Sequence, residues 1–367
     1  MCTKKGDVSL VFNGEIYNYQ ELREEFLGSY EFRGSSDTEV LLHLYEELGE
    51  TFLTKIQGMF ALALYDTKKG ILLLARDHVG KKPLYWTHHD STFIFGSELK
   101  ALRKHPSCPK KISTTALAQY LVYEYVPGPA TIYENVSKLD PGTYLIYDGK
   151  NVTQGTFGRI ISTQGAYTKN FESAKDELHA LLQTAVQKRM VADVPVGVFL
   201  SGGLDSSTIA YFAQKSSTNQ IKTFSIGFKD TSFDEREYAR EVATFLGTDH
   251  HEYVVGPEEL LKVIHEIPQV LDEPIADSSI IPSLILSRYT SKEVKVVLGG
   301  DGSDEIFFGY GTFFAHRVGL WYEKIPKCIT RVIRYVVERL PVSHAYMSFD
   351  FKAKKFISGF QYDKGSP

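Results

Sequence analysis

Cysteine is scarce in this chain: Cys2, Cys108 and Cys328 are the only three in 367 residues, and no C-x-x-C spacing occurs. That excludes a zinc ribbon and a disulfide framework and fits a reducing compartment. Long apolar runs are missing too. None approaches the roughly 18 to 20 residues that a membrane-spanning helix needs. The polar opening MCTKKGD is not a signal peptide, so a cytoplasmic location is expected, with no membrane partner. Neither sign of charge dominates, since 41 Lys and Arg face 45 Asp and Glu for a net of -4. A surface of that balance has no overall excess of cations to hold nucleic acid by its phosphates. Two familiar nucleotide loops are absent as well: no glycine loop runs into the Lys of G-x-x-x-x-G-K-[ST], and no G-x-G-x-x-G occurs.

What the chain has in place of them is Val194–Ser207, VPVGVFLSGGLDSS. Val194, Val196, Val198, Phe199 and Leu200 form a short apolar run of the kind that a strand buried on both faces of a parallel sheet shows. Ser201, Gly202 and Gly203 then leave no bulk between backbone N–H groups and an anion. Asp205 supplies a carboxylate. Ser206, Ser207 and Thr208 place hydroxyls at a helix N-terminus, whose dipole favours negative charge. The chemistry is that of a phosphate or pyrophosphate cradle; the plainer alternative is a glycine-rich turn from strand to helix.

The length suits two domains. From Val8 to Tyr147, β-rich runs alternate with hairpin-like turns such as Asp66–Gly70 and His88–Ser91, and helices are expected over Tyr19–Glu25 and Asp37–Leu48. This predicts an α+β first domain over residues 1–150 with layered antiparallel sheets. A polar stretch, 151–170, reads as the linker. From Phe171 on, strands and helices alternate: strands at Lys222–Phe228, Glu252–Val255 and Val294–Leu298, helices at Asp234–Leu246, Glu258–Ile267 and Ser279–Tyr289. Such alternation predicts an α/β second domain, 171–367, on a parallel sheet.

In an open parallel sheet, ligands sit beyond the carboxyl ends of the strands. Three strand ends here carry suitable groups. One is Leu200 with its loop. Another is Ser225–Phe228, where Ile226 and a glycine could flank an adenine ring. The last is Leu298–Glu305, in which Gly299 and Gly300 permit close approach, Asp205 and Asp304 offer the oxygen ligands that Mg²⁺ prefers, and Asp301 is left to act as a base. The alternative for that last run is an acidic turn capping the next helix. His250-His251-Glu252 reads as a strand entry rather than a metal site.

Eight segments carry a resemblance. SLVFNGEIYNYQELR, FRGSSDTEVLLHLYEELG, GMFALALYD, LLARDHVGKKPLYW, FGSELKAL, SGGLDSS, DEPIADSS and VVLGGDGSDEIFFGY follow one another as in the glutamine-hydrolysing asparagine synthetases, and the chain is similar to the bacterial, B-type members. SGGLDSS also resembles the pyrophosphate loop of the ATP pyrophosphatases, which split ATP between its α and β phosphates. The resemblance implies an N-terminal nucleophile glutaminase domain followed by an ATP-pyrophosphatase domain, making asparagine from L-aspartate, ATP and L-glutamine through β-aspartyl-AMP, with Mg²⁺ and a homodimer as expected associates. It places glutamine at Asn13, Gly14, Glu15 and Asp37. ATP falls at Leu200, Ser201, Gly202, Gly203, Asp205, Ser206, Ile226, Gly299 and Gly300; metal and pyrophosphate fall at Asp205 and Asp304; a catalytic role falls to Asp301. Asn13-Gly14 on its own also reads as a tight turn after a strand. The run from Asp272-Glu273-Pro274 to Asp277-Ser278-Ser279 reads as a helix cap or as an acceptor wall.

Departures from the family's pattern set further expectations. The family's nucleophilic cysteine lies far upstream of N-G-E, whereas Cys2 precedes Asn13 by eleven residues. The family's arginine for the glutamine carboxylate has no counterpart, and its pyrophosphate-neutralising lysine lies beyond Pro367. The chain is therefore expected to be truncated at both ends and to make no asparagine from glutamine. Two alternatives stand beside the main reading: an amide or β-lactam-forming synthetase without glutaminase activity, and a non-catalytic fragment that binds ATP or glutamine.

Overall fold

The computed structural model describes residues 1–158, 168–228, 234–343 and 348–360. The chain folds as two compact units. Met1–Leu178 with Lys262–Ile281 make the first; His179–Leu261 with Pro282–Pro367 make the second.

Among its described residues the first unit has eight strands: β1 (Val8–Ile16), β2 (Gly58–Asp66), β3 (Ile71–Arg76), β4 (Tyr85–His89), β5 (Thr92–Gly96), β6 (Ser137–Lys138), β7 (Thr143–Tyr147) and β8 (Val152–Thr156). They form an antiparallel five-stranded sheet ordered β1-β2-β3-β7-β8 and a three-stranded sheet ordered β5-β4-β6. Helices α1 (Tyr19–Phe26) and α2 (Asp37–Leu48) cover one face of the larger sheet. There Leu22, Val40, Leu41 and Leu44 pack with Leu10, Ile16, Phe60, Leu62 and Leu73, each such burial contributing roughly 1.5–3 kcal/mol. Ala61 and Ala63 on the opposite face, small enough for a second layer to approach, pack with Leu84, Leu139 and the rings of Trp86, Phe93 and Phe95. Ser36 starts α2 by accepting the Glu39 N–H on its hydroxyl at 3.3 Å.

Two local readings change. Asn13-Gly14 is not a turn, because β1 continues through it with Asn13 opposite Ala61 and Gly14 opposite Phe60. A Cβ on Gly14 would stand 2.1 Å from the Met59 carbonyl oxygen; glycine is there for close strand approach. The polar stretch from 151 begins with β8, whose residues pair with β7 from Thr143 to Tyr147. Its composition misleads because an edge strand is solvated on one side. Residues 159–167, the middle of the expected linker, lie outside the described residues.

The second unit holds β9 (Val196–Phe199), β10 (Lys222–Phe228), β11 (Asp249–Val255) and β12 (Val296–Leu298), all parallel in the order β11-β10-β9-β12. Val186, Val198, Leu200, Ala210, Ala213 and Ala239 fill one face; Phe224, Leu286 and Val294 fill the other. After α3 (Leu99–Leu102), α4 (Thr114–Tyr123) and α5 (Phe171–Arg189), the helices α6 (Leu204–Lys215) and α7 (Arg236–Leu246) follow β9 and β10. Strand order runs outward from β9 to β11, then returns to set β12 on the other side of β9. The reversal puts a crevice beyond the carboxyl ends of β9 and β12.

Candidate active sites

The loop after β9 enters α6 with no side-chain cap at Gly203, so the first N–H groups of the helix keep the unsatisfied donors that hold anions. The loop is braced from within. Ser206 Oγ accepts from the Ser201 N–H at 3.2 Å and lies 3.0 Å from Ser201 Oγ. Ser207 Oγ, in the first turn, is buried and has no hydrogen-bond partner among the described residues. Gly202 has φ +82, a left-handed conformation that favours glycine.

The loop after β12 closes on this turn. A Cβ on Gly300 would stand 2.9 Å from Ser206 N and 3.0 Å from Asp205 Cβ, so absence of a side chain is what lets the two strand ends touch. Burial, and then the negative charge of Asp304, push the Asp205 carboxyl above its ordinary range. The two carboxylates therefore feel each other across the crevice, although almost a hundred residues separate them in sequence. Asp301 is exposed, with its carboxylate folded over Gly299. Ile226 lies inside β10, beside Tyr253 of β11, one strand away from the crevice. Among the described residues no group of three or more His, Cys, Asp or Glu is placed to hold a metal ion. His250 instead lies in β11, bonded to Thr223 Oγ1 at 2.9 Å.

In the first unit, one end of β1 gathers Asn13, Gly14, Glu15 and Asp37. Asp37 opens α2, and its Oδ2 accepts the Ile16 N–H at 3.0 Å. Asn13 lies on the Ala61 face and donates its side-chain amide to Ser97 Oγ at 3.3 Å. Cys2 sits elsewhere. It pairs with Ser9, Sγ to Oγ 3.2 Å, four residues and thus about 13 Å along β1 from Asn13.

Residues 177–357 match the asparagine synthase family, and residues 1–158 match the glutamine amidotransferase domain family. Curated relatives agree over most of the chain. Asparagine synthetase [glutamine-hydrolyzing] 1 of Bacillus subtilis is 36% identical over 334 residues, 90% of this chain and 52% of its own length. Asparagine synthetase B [glutamine-hydrolyzing] of Escherichia coli is 33% identical over 356 residues, 92% of this chain and 56% of its own. The chain belongs to the glutamine-hydrolysing asparagine synthetase family. It spans just over half the length of these two relatives.

The family's amidotransferase and synthetase parts correspond to the antiparallel layers and the parallel sheet. One feature of this family member escapes domain-by-domain reading: the segment Lys262–Ile281 lies inside the stretch that matches asparagine synthase yet packs in the first unit. There Asp272 Oδ2 accepts the Leu99 N–H at 2.7 Å and Oδ1 the Lys100 N–H at 3.3 Å. Glu273 accepts the Ile132 N–H at 2.7 Å and pairs with Lys138 Nζ at 2.6 Å, both side chains largely buried. Burial, followed by the charges of Glu273 and Asp272, pushes the Tyr85 phenol up to about 12. Asp277 caps locally, its Oδ1 accepting the Ser279 N–H at 2.8 Å. Ser97 and the Asp272 partners Leu99 and Lys100 lie within FGSELKAL, but their residue types assign them no role, and Lys138 lies in none of the eight segments, so sequence reading passes over them.

Proposed function

We propose that this chain carries the machinery for ATP-dependent amide synthesis on L-aspartate, with asparagine, AMP and pyrophosphate as products and nitrogen delivered as ammonia. The observation that carries the reading is the pyrophosphate loop of β9 closed against Gly299–Asp304 at the strand-order reversal. ATP is a substrate here. Its β and γ phosphates would lie against the N–H groups of Ser201–Gly203 and the first turn of α6, with Ser206 bracing the loop, Leu200, Gly299 and Gly300 along the nucleotide, and Ile226 toward the base. The donor set fits a divalent cation. Burial, and then the like charge of Asp304, disfavour ionisation of Asp205; Asp205 and Asp304 would hold Mg²⁺, whose preference for oxygen ligands suits them. The chemistry such an ion would supply is neutralisation of negative charge on the departing pyrophosphate.

The chain's own groups do the rest. Backbone donors hold the phosphates before the aspartate carboxylate attacks the α phosphorus, and such preorganised donors are worth several kcal/mol of barrier. Asp301, exposed beside the nucleotide loop, takes a proton from ammonia as nitrogen attacks the acyl adenylate. At the other site, Asn13 with the backbone at Gly14 would stabilise an oxyanion on the glutamine amide, and Asp37 would meet the α-ammonium. Cys2, about 13 Å along β1 from Asn13, is out of reach as the nucleophile of that site.

Incubation with ATP, Mg²⁺, L-aspartate and ammonium tests the proposal: AMP and pyrophosphate are expected, and aspartate-dependent exchange of labelled pyrophosphate into ATP without any nitrogen donor. ADP and phosphate as products would overturn it. Glutamate release that disappears in Cys2→Ser would overturn the exclusion of Cys2.

A further inference from the structure

Among the described residues, the Asn13 side chain makes one hydrogen bond, which the fold supplies from far away in sequence. The amide of asparagine has two hydrogens. One goes to Ser97 Oγ, which leaves the other for an incoming oxygen. Asparagine's amide torsion is otherwise broad and soft, so the direction of the second hydrogen depends on where Ser97 stands. Ser97 immediately precedes Glu98, the N-cap of helix α3 (Leu99–Leu102), and Glu98 makes no side-chain cap bond. Four residues are too few to hold a helix by themselves.

The missing cap comes from 173 residues further along the chain. Asp272 takes the Leu99 and Lys100 N–H groups on its two carboxylate oxygens. The segment bearing it is pinned on either side. Lys100 Nζ donates to the Val270 carbonyl at 3.2 Å, Glu273 holds Ile132 N and Lys138 Nζ, and the Ala276 N–H donates to the Glu124 carbonyl at 2.8 Å. A charged acceptor on two backbone donors is among the stronger hydrogen-bond arrangements.

We propose that Asp272 is a positioning residue for Asn13: by capping α3 it fixes Ser97, and through Ser97 it aims the Asn13 amide. The inference rests on reading Asn13 as the oxyanion donor of the glutamine site, but its test needs neither glutamine nor ATP. In the isotope-labelled full chain, the Asn13 side-chain amide signals are identified by their loss in Asn13→Asp. Ser97→Ala moves them, and Asp272→Ala moves them in the same direction. The double variant moves them no further than Ser97→Ala does, and Asp272→Asn, which keeps one acceptor, gives an intermediate shift. Backbone exchange at Leu99 and Lys100 rises about tenfold or more in Asp272→Ala. Faster exchange at Leu99 and Lys100 with the Asn13 signals unmoved overturns the proposal and leaves Asp272 as a cap alone. Should Asp272→Ala not fold, the same comparison in Asp272→Asn decides. Production of ADP in the synthesis assay would sink the proposed function without touching this result.

Discussion

Adding one methyl group at Gly300 tests the closure of the crevice most directly. In Gly300→Ala the new Cβ stands 2.9 Å from Ser206 N, 3.0 Å from Asp205 Cβ and 3.1 Å from the Asp205 carbonyl carbon. Nonbonded carbon contacts settle near 3.5–4.0 Å, so the loop after β12 and the first turn of α6 must separate by about 0.5–1 Å. None of the crowded atoms lies at the end of a flexible side chain, and rotation cannot relieve the clash. Overpacking of this kind costs about 1–3 kcal/mol of stability. The functional loss should be larger, since a displacement near 1 Å at a reacting centre costs around a hundredfold in rate. The assay is aspartate-dependent pyrophosphate exchange, alongside ATP titration and thermal denaturation. Gly311→Ala is the control, because its Cβ meets nothing within 4 Å. Exchange should fall about a hundredfold with a modest drop in melting temperature, while the control keeps both. Full exchange activity in a folded Gly300→Ala protein would refute the claim that the two strand ends share one site.

Asp304→Asn should separate stability from function. It removes a charge that pushes the Asp205 carboxyl up, so without ligand the melting temperature at neutral pH holds or rises, while the Mg²⁺ dependence of ATP binding weakens; a lower melting temperature with unchanged Mg²⁺ dependence would contradict the shared cation. His250 should give a pH signature. Burial is the main cause of its lowered pKa, opposed by Glu252 and reinforced by His251 and Arg240. As pH falls below about 6.5 the unfolded chain takes up the proton first, so stability declines until the folded-state pKa is reached. His250→Gln should narrow the difference in melting temperature between pH 7.5 and pH 5.5, and an unchanged difference would show that His250 is not its source.

The reading of SGGLDSS behind a buried strand needed only neighbours in sequence: apolar residues, two glycines, an acid and hydroxyls in a row imply strand, loop and helix start. The same holds for the hairpins of the first unit and for α2, whose cap is three residues from its partner. Asn13-Gly14 shows where local reading stops. The dipeptide suits a turn, and only pairing with Ala61 and Phe60 on β2 keeps it extended. Val152–Thr156 shows the converse, polar residues made into a strand by an available edge on β7.

From the sequence alone came the two domain types, their order, the glycine-rich loop from strand to helix at SGGLDSS and the acidic glycine turn, since each is written in short-range pattern and residue chemistry. The tertiary structure alone decided that Asp304 faces Asp205, that Asn13 meets Ser97, and that Asp272, within the asparagine synthase stretch, caps a helix of the first unit. Those pairings depend on strand order, on register and on where the chain crosses between units. Hydrophobic periodicity reports which face of an element is buried, but carries no record of which distant element covers it.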